Sequence, residues 1–422
     1  MSSYSKPVIK YCLLFVVSAF CFSCQHRLSQ EQTAVIFAKN KVTELTDSNY
    51  SFLKKIGNQS QIIGVGEATH GSKEFNEVRL AFFKYLVQNC NYKLFCFEGD
   101  FSTFLPVSNY VESGIGEPED LLLNTSWFLW DGQDMLKIVE WMRAYNKDKS
   151  SEQKVRLIGI DMRNLEVILL DIKKYFKANK TSNQDEILLE IANLFKLDEK
   201  SAQYLKELQR LSDLVKADTQ ADHNYSLESG NYLIHYLQLN LEEEIAYKKA
   251  STLNQKMDLR DRFMAQNTEW FCKHSNMGGK ALLAAHNLHV AKMRQGVYKI
   301  CGEHLKEDLG IRYFNIYIDF ASGSALAHGG KHNNIGVYNL PGNKDAFSYH
   351  LQSAQRNSFF LNLRDADHKT RAVLNQLFVF NQLGSTFESD AQASAKFNLA
   401  QQFDGYVYLP AVTAKQKIRF KL

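Results

Sequence analysis

Four apolar runs, far apart in the 422-residue chain, each end on an ionisable side chain: IIGVGE at Glu67, KLFCFE at Glu98, RLIGID at Asp161 and LLAAH at His286. Runs of this length read as buried strands. In parallel α/β sheets the side chains at the carboxyl ends of different strands converge on one edge, where ligands bind. Helical spacing fills the intervals. Phe75, Arg79, Phe82 and Leu86 share one helical face, and the stretch from Met135 to Ala144 and the segment NLEVILLDIKKYF also read as helices. Alternation of strand and helix predicts an α/β fold with a mostly parallel central sheet flanked by helices.

The pattern divides the chain. Residues 25–60 form a polar, partly helical lead-in, and 61–184 the first part of the α/β layer. From 185 to 272 it changes to long amphipathic helices (ILLEIANLFKL, YLKELQRLSDLV, NYLIHYLQLNLEEEIAYKKA), which predicts a helical insertion or cap. Neither sustained heptads nor an internal repeat is present. Strand-like KALLAAH, RYFNIYIDF, NIGVYNL and GYVYLP then return, so 273–422 reads as the second part of the layer. Residues 321–334, ASGSALAHGGKHNN, read as a flexible glycine-rich loop, and the segment after Pro410 as a closing turn.

Residues 1–24 stand apart. Lys6 and Lys10 precede YCLLFVVSAFCFS, an apolar run short of the roughly 20 residues of a membrane-spanning helix. It reads as an export signal, and Ser23–Cys24 is similar to the processing site of a bacterial lipoprotein. On this reading the mature protein is periplasmic or at the cell surface, held to a membrane by lipid on Cys24. Cys12 and Cys21 fall in the signal. The remaining Cys90, Cys96, Cys272 and Cys301 do not form a disulfide framework, although one bridge is open to them, and their spacing does not match a zinc site. A formal charge of +4 with no concentrated basic stripe argues against a nucleic-acid partner.

The polar groups that interrupt the apolar pattern suggest hydrolysis. Arg79 shares its helical face with large apolar residues, so its charge needs a carboxylate: Glu67, Glu98 or Glu74. His70 is positioned to take a proton from water. Glu98 can orient an imidazole and raise its basicity, while His286 or His289 can stabilise an oxyanion or protonate a leaving group. Asp161 and Asn287 flank these groups as supporting or substrate-binding residues. A second reading gives Glu67, His70, Glu98, His286 and His289 to a divalent metal that activates water; a third is a noncatalytic ligand-binding envelope lipoprotein. The chain lacks a G-x-S-x-G elbow, so Ser322 and Ser324 read as loop hydroxyls, and Cys96 as a packed thiol.

These segments, in this order, resemble the erythromycin esterase family. GEATHGSKEF with Arg79, FCFEGD, GIDMR, RDRFMAQNTEW and AHNLHV carry the resemblance, which covers roughly residues 45–415. It implies that Glu67, His70, Arg79, Glu98, His286 and His289 line a deep cleft. It also implies that His70 activates water with neither a covalent serine intermediate nor a cofactor, and that a helical insertion overlies an α/β core. Characterised resistance members open macrolide lactones, and other members carry a label linking them to succinoglycan biosynthesis. The expected substrate is a small-molecule ester or lactone, and the export signal points away from an intracellular antibiotic-inactivating role.

Overall fold

The structure is a computed structural model that describes residues 27–38, 42–46, 49–125, 129–162, 164–221, 231–274, 279–294, 296–329, 334–352, 354, 356–389 and 393–418. The expected export signal, with Cys24, lies outside the described residues, as do positions 330–333.

The strands run in chain order β1 (Val42–Glu44), β2 (Ile62–Val65), β3 (Leu94–Asp100), β4 (Arg156–Asp161), β5 (Ala281–Ala284) and β6 (Tyr313–Phe320). They continue with β7 (Gly323–Gly329), β8 (Asn334–Leu340), β9 (Phe359–Asn362), β10 (Leu377–Asn381), β11 (Thr386–Phe387), β12 (Ser394–Asn398) and β13 (Gly405–Leu409). Eight of them form the central sheet, in the order β1-β9-β13-β6-β2-β5-β3-β4. From β13 to β4 every neighbour is parallel, whereas β9 runs antiparallel to both β1 and β13. The sheet is therefore mixed, with a parallel interior and one reversed strand near an edge.

Period-two alternation gives the sheet two apolar faces. Leu94 and Cys96 of β3 join Ala281, Leu283 and Tyr317 on one side; Phe95 and Phe97 join Leu282, Ala284 and Ile316 on the other. Both faces are covered, which is why the parallel strands are apolar almost throughout. The second face is packed by α3 (Glu74–Cys90), α4 (Phe101–Ser113) and α6 (Gln133–Asn146), which follow the short α1 (Gln30–Ile36) and α2 (Leu53–Gln59) and flank α5 (Pro118–Asn124). The first face carries α7 (Leu165–Ala178), α8 (Gln184–Leu194), α9 (Ala202–Ala221), α10 (Asn231–Lys249) and α11 (Leu253–His274). All five lie between β4 and β5.

Three segments differ from expectation. The stretch read as a flexible loop contains β7, which pairs antiparallel with β8, the strand expected at NIGVYNL, because Ala325, Leu326 and Ala327 find buried positions. The lead-in also contributes more than polar chain: β1 extends the sheet, and Leu28, Ile36, Leu53 and Ile56 are buried in the core. The segment after Pro410 does more than turn, bridging Gly323 through Val412 and Ser72 through Ala414. Cys90, Cys96, Cys272 and Cys301 are buried free thiols, so the bridge left open by the sequence is not formed. Burial pushes the Cys96 thiol well above its ordinary value, as expected of packing sulfur. No helix among the described residues is long and apolar enough to cross a membrane.

Candidate active site

Strands β2, β5, β3 and β4 are adjacent, and their carboxyl ends carry Glu67, His286, Glu98 and Asp161 in that lateral order. The four residues singled out by position therefore share one edge, as parallel topology requires.

Glu67 follows β2 and accepts on both oxygens: His70 Nδ1 lies 2.6 Å from Oε1, and Arg79 Nη1 donates to Oε2 at 2.6 Å. Arg79 is fully buried on α3. Its guanidinium also donates to the carbonyls of Val65 (3.2 Å) and Ala285 (2.7 Å) and to Asn76 Oδ1 (3.0 Å). Of the three carboxylates open to Arg79, Glu67 is the partner; Glu98 turns elsewhere, and Glu74 accepts from the backbone of Thr413. Behind Arg79, Asn76 donates to buried Asp134 at 2.6 Å. Burial pushes the Glu67 carboxyl up, but the Arg79 guanidinium and then His70 outweigh it and hold the group below its ordinary value.

Glu98 is the second hub. It accepts from Arg260 Nη2 (2.8 Å) and from the backbone N–H of His286 (3.0 Å), and His289 Nε2 lies 3.4 Å away. Arg260 is held in turn by Asp161, whose two oxygens accept from Nε (2.9 Å to Oδ1) and Nη2 (2.7 Å to Oδ2). Burial raises the Glu98 carboxyl, yet His289, Arg260 and His70 together hold it well below the carboxylate range. His289 Nδ1 sits 2.6 Å from Asp261. Burial pulls His289 down, but Asp261 and Glu98 more than offset this and raise it. The imidazole that Glu98 contacts is thus that of His289, while the one that Glu67 contacts is that of His70.

His286 differs from both. It caps the short helix α12 (Asn287–Val290), with Nδ1 accepting from the Leu288 N–H at 3.3 Å. That partner leaves the proton of the neutral ring on Nε2. Nε2 is buried without a hydrogen-bond partner among the described residues, and the ring centroid is 5.3 Å from that of His70. Burial, with His70 nearby, pushes the His286 pKa down to about 3, so the ring stays neutral.

Asp161 and Asn287 are both engaged by neighbouring parts of the chain. Asp161 is fully buried against Arg260, and Asn287 is fully buried between strands, donating to Ile318 O (2.9 Å) and accepting from its N–H (3.2 Å). Asn287 also explains Gly66, since a Cβ there would meet its Oδ1 at 1.9 Å. Gly66→Ala is expected to cost about 1–3 kcal/mol by overpacking, read from urea unfolding; an unchanged midpoint would contradict the geometry. Ser324 Oγ accepts from the Ala414 N–H, consistent with a structural hydroxyl.

Arg260 and Asp261 were missed at the sequence level. Both sit on the buried side of α11 with Met264, Thr268 and Phe271, so the reasoning that singled out Arg79 would have found them.

The metal reading meets a crowded donor set. Both Glu67 oxygens are engaged, Glu98 is shared by a guanidinium and a backbone N–H, and His289 Nε2 lies 3.3 Å from Arg260 Nη1. Among the described residues no three His, Cys, Asp or Glu side chains are disposed to hold an ion.

Acid is expected to loosen this site. Glu67 and Glu98 are depressed below 4.5, and His286 from 6.5 to about 3, so below pH 4.5 the unfolded chain binds more protons than the native one at all three. Their stabilisation, present above the unfolded values, is lost as pH falls through the folded ones. Urea midpoints measured from pH 4.5 down to 3 should decline steadily; a flat profile would refute the assignment.

Comparison with known proteins agrees with this architecture. The family model described as erythromycin esterase matches residues 87–412. The chain belongs to the erythromycin esterase family. The match begins after the Glu67–His70–Arg79 segment and includes Glu98, Asp161, Arg260, His286 and His289. Among relatives of this erythromycin-esterase-like chain, the Bacillus subtilis (strain 168) protein YbfO, which bears a provisional hydrolase name, is 24% identical over 361 residues, covering 76% of this chain and 78% of the relative. Erythromycin esterase type II of Escherichia coli is 22% identical over 316 residues, 67% of this chain and 74% of that one. The fold is shared with a solved Bacillus cereus protein (TM-score 0.81, 23% identity, 92% and 99% of the two chains). An erythromycin esterase mutant in its open conformation superposes with TM-score 0.61 at 19% identity, covering 89% and 97%.

Proposed function

We propose that this erythromycin-esterase-like protein cleaves a carboxylic ester or lactone with water activated by His70. The observation that carries the reading is a pair of neighbouring histidines set up in opposite senses. His70 has Nδ1 tied to Glu67, which fixes the proton there and leaves Nε2 as an acceptor; His286 has Nδ1 as acceptor and an unpartnered, buried Nε2–H. One ring can take a proton while the other donates a hydrogen bond.

In the proposed reaction, His70 Nε2 removes a proton from water as its oxygen bonds to the carbonyl carbon. The carbonyl electron pair moves to oxygen, and His286 Nε2–H stabilises the resulting oxyanion. Collapse re-forms the carbonyl and breaks the bond to the alkoxy oxygen, which receives the proton from His70. Glu67 stabilises the imidazolium, and Arg79 holds Glu67. Glu98, Arg260, Asp161, Asp261 and His289 act as a second charged assembly that fixes the His286 backbone, with α8–α11 serving as a cover over the cleft. The signal-like residues 1–24 support an exported, lipid-tethered setting; fractionation that finds the protein only in cytosol would sink that part.

The test is turnover of an ester and lactone panel by the purified protein, with and without chelator. Turnover that survives chelation is expected. Turnover lost on chelation and restored by one equivalent of a divalent ion favours the metal reading, and ligand binding without product release favours the noncatalytic one.

A further inference from the structure

Beyond the end of β4 lies a cavity of about 580 Å³ that the reaction leaves unassigned. Met162 and Asn164 form one side, α10 contributes Glu244, Tyr247 and Lys248, and α11 contributes Lys256 and Arg260. Arg260 is the bridge, since the same guanidinium holds Glu98 and Asp161 at the histidine cluster. The cavity and the proposed chemistry thus share Arg260 at the carboxyl edge of the sheet, the edge at which ligands of parallel α/β folds bind.

Glu244 says what kind of group belongs there. It is only 6% exposed and lines the cavity, with the Lys248 ammonium acting on its charge. A polar group this close to full burial calls for hydrogen-bond partners, and the cavity is the side from which a ligand can supply them. Burial pushes the carboxyl up to about 7, with Lys248 pulling the other way, so near neutrality it donates as well as accepts. The remaining wall is mixed in sign. Lys248 pairs with Glu199 at 3.3 Å, Lys256 lies 5.3 Å from the Tyr247 ring centroid, and Arg260 is engaged by acids. Three cations disfavour an ammonium ligand, and Glu166, Glu199 and Glu244 disfavour a carboxylate or phosphate. A neutral group bearing several hydroxyls, each both donor and acceptor, satisfies such a lining, and the apolar faces of Met162 and Met257 suit its C–H surface.

We propose that this cavity is the subsite for a neutral polyhydroxylated portion of the ester, such as a sugar ring. The proposal rests on the hydrolytic reading above. Three butyrate esters separate the ligand classes: 6-O-butyryl methyl glucoside, hexyl butyrate and butyrylcholine. The expected result is a kcat/KM preference for the glucoside ester that Glu244→Leu lowers about ten-fold, the worth of one or two hydrogen bonds. Glu244→Gln, which keeps a donor and an acceptor, should retain most of the preference. Should the Leu variant fail to fold, Lys256→Met on the facing helix takes its place, with the same direction expected. Equal use of the three esters, a preference for butyrylcholine, or a preference that survives both variants overturns the proposal. If the protein turns over none of them, the hydrolytic reading is what fails for this substrate set, and saturation-transfer NMR with methyl glucoside decides the subsite alone. Transfer seen with the wild type and lost in Glu244→Leu, or in Lys256→Met if that variant stands in, supports it; no transfer, or equal transfer in both, overturns it.

Discussion

His70→Ala is expected to lower kcat/KM about 10²- to 10⁴-fold for any ester the protein turns over, the range contributed by a positioned general base. The variant should unfold at nearly the wild-type urea concentration. The ring lies at the partly open edge of the site, and removing it leaves Glu67 still paired with Arg79. A folded variant with near wild-type turnover would remove His70 from the mechanism. A parallel loss of activity and of native circular dichroism would reduce its role to structure, so both readouts are needed.

Arg79→Ala is expected to destabilise the protein by about 3–5 kcal/mol, the usual cost of removing one member of a buried ion pair. The cause lies less in the lost attraction than in what remains. Glu67 would keep a buried charge with only His70 beside it, and the carbonyls of Val65 and Ala285 would each lose a donor. Because those carbonyls sit at the ends of β2 and just before His286, the same change should loosen the spacing between the two histidines. Arg79→Lys should recover only part of the loss, since an ammonium cannot reproduce the fork that reaches both strand ends. Urea unfolding measures the first effect and kcat/KM the second; a loss below about 1 kcal/mol would mean the pair is solvated rather than buried.

The strand-end acids and His286 were legible in the sequence because parallel topology carries the carboxyl ends of separate strands to one edge whatever the loops between them. Arg79 was legible because a charge on an apolar helical face demands a partner. Which partner it takes was not, as Glu67, Glu98 and Glu74 all lie within reach of a helix whose angle to the sheet is a tertiary property. Glu98 was expected to orient an imidazole, and it meets that of His289. Which histidine it would meet was not legible, because the choice depends on a helix nearly a hundred residues later in sequence than Asp161 that packs over β3 and β4 and brings Arg260 to the same carboxylate. Strand β7 was not legible for a local reason: its glycines and small side chains carry weak strand propensity, and its place depends on contacts with the segments at Gly71 and Val412. Asn287, between His286 and His289, was expected to support the site or bind substrate, and its amide bonds to the Ile318 backbone of β6.

The central claim is that water attacks the ester directly, with His70 as base and no acyl-enzyme. Stopped-flow release of 4-nitrophenolate from 4-nitrophenyl butyrate tests it most directly. The account predicts release that is linear from the first turnover, whereas a rapid burst of one equivalent per active enzyme before the steady state would reveal a covalent intermediate and contradict it.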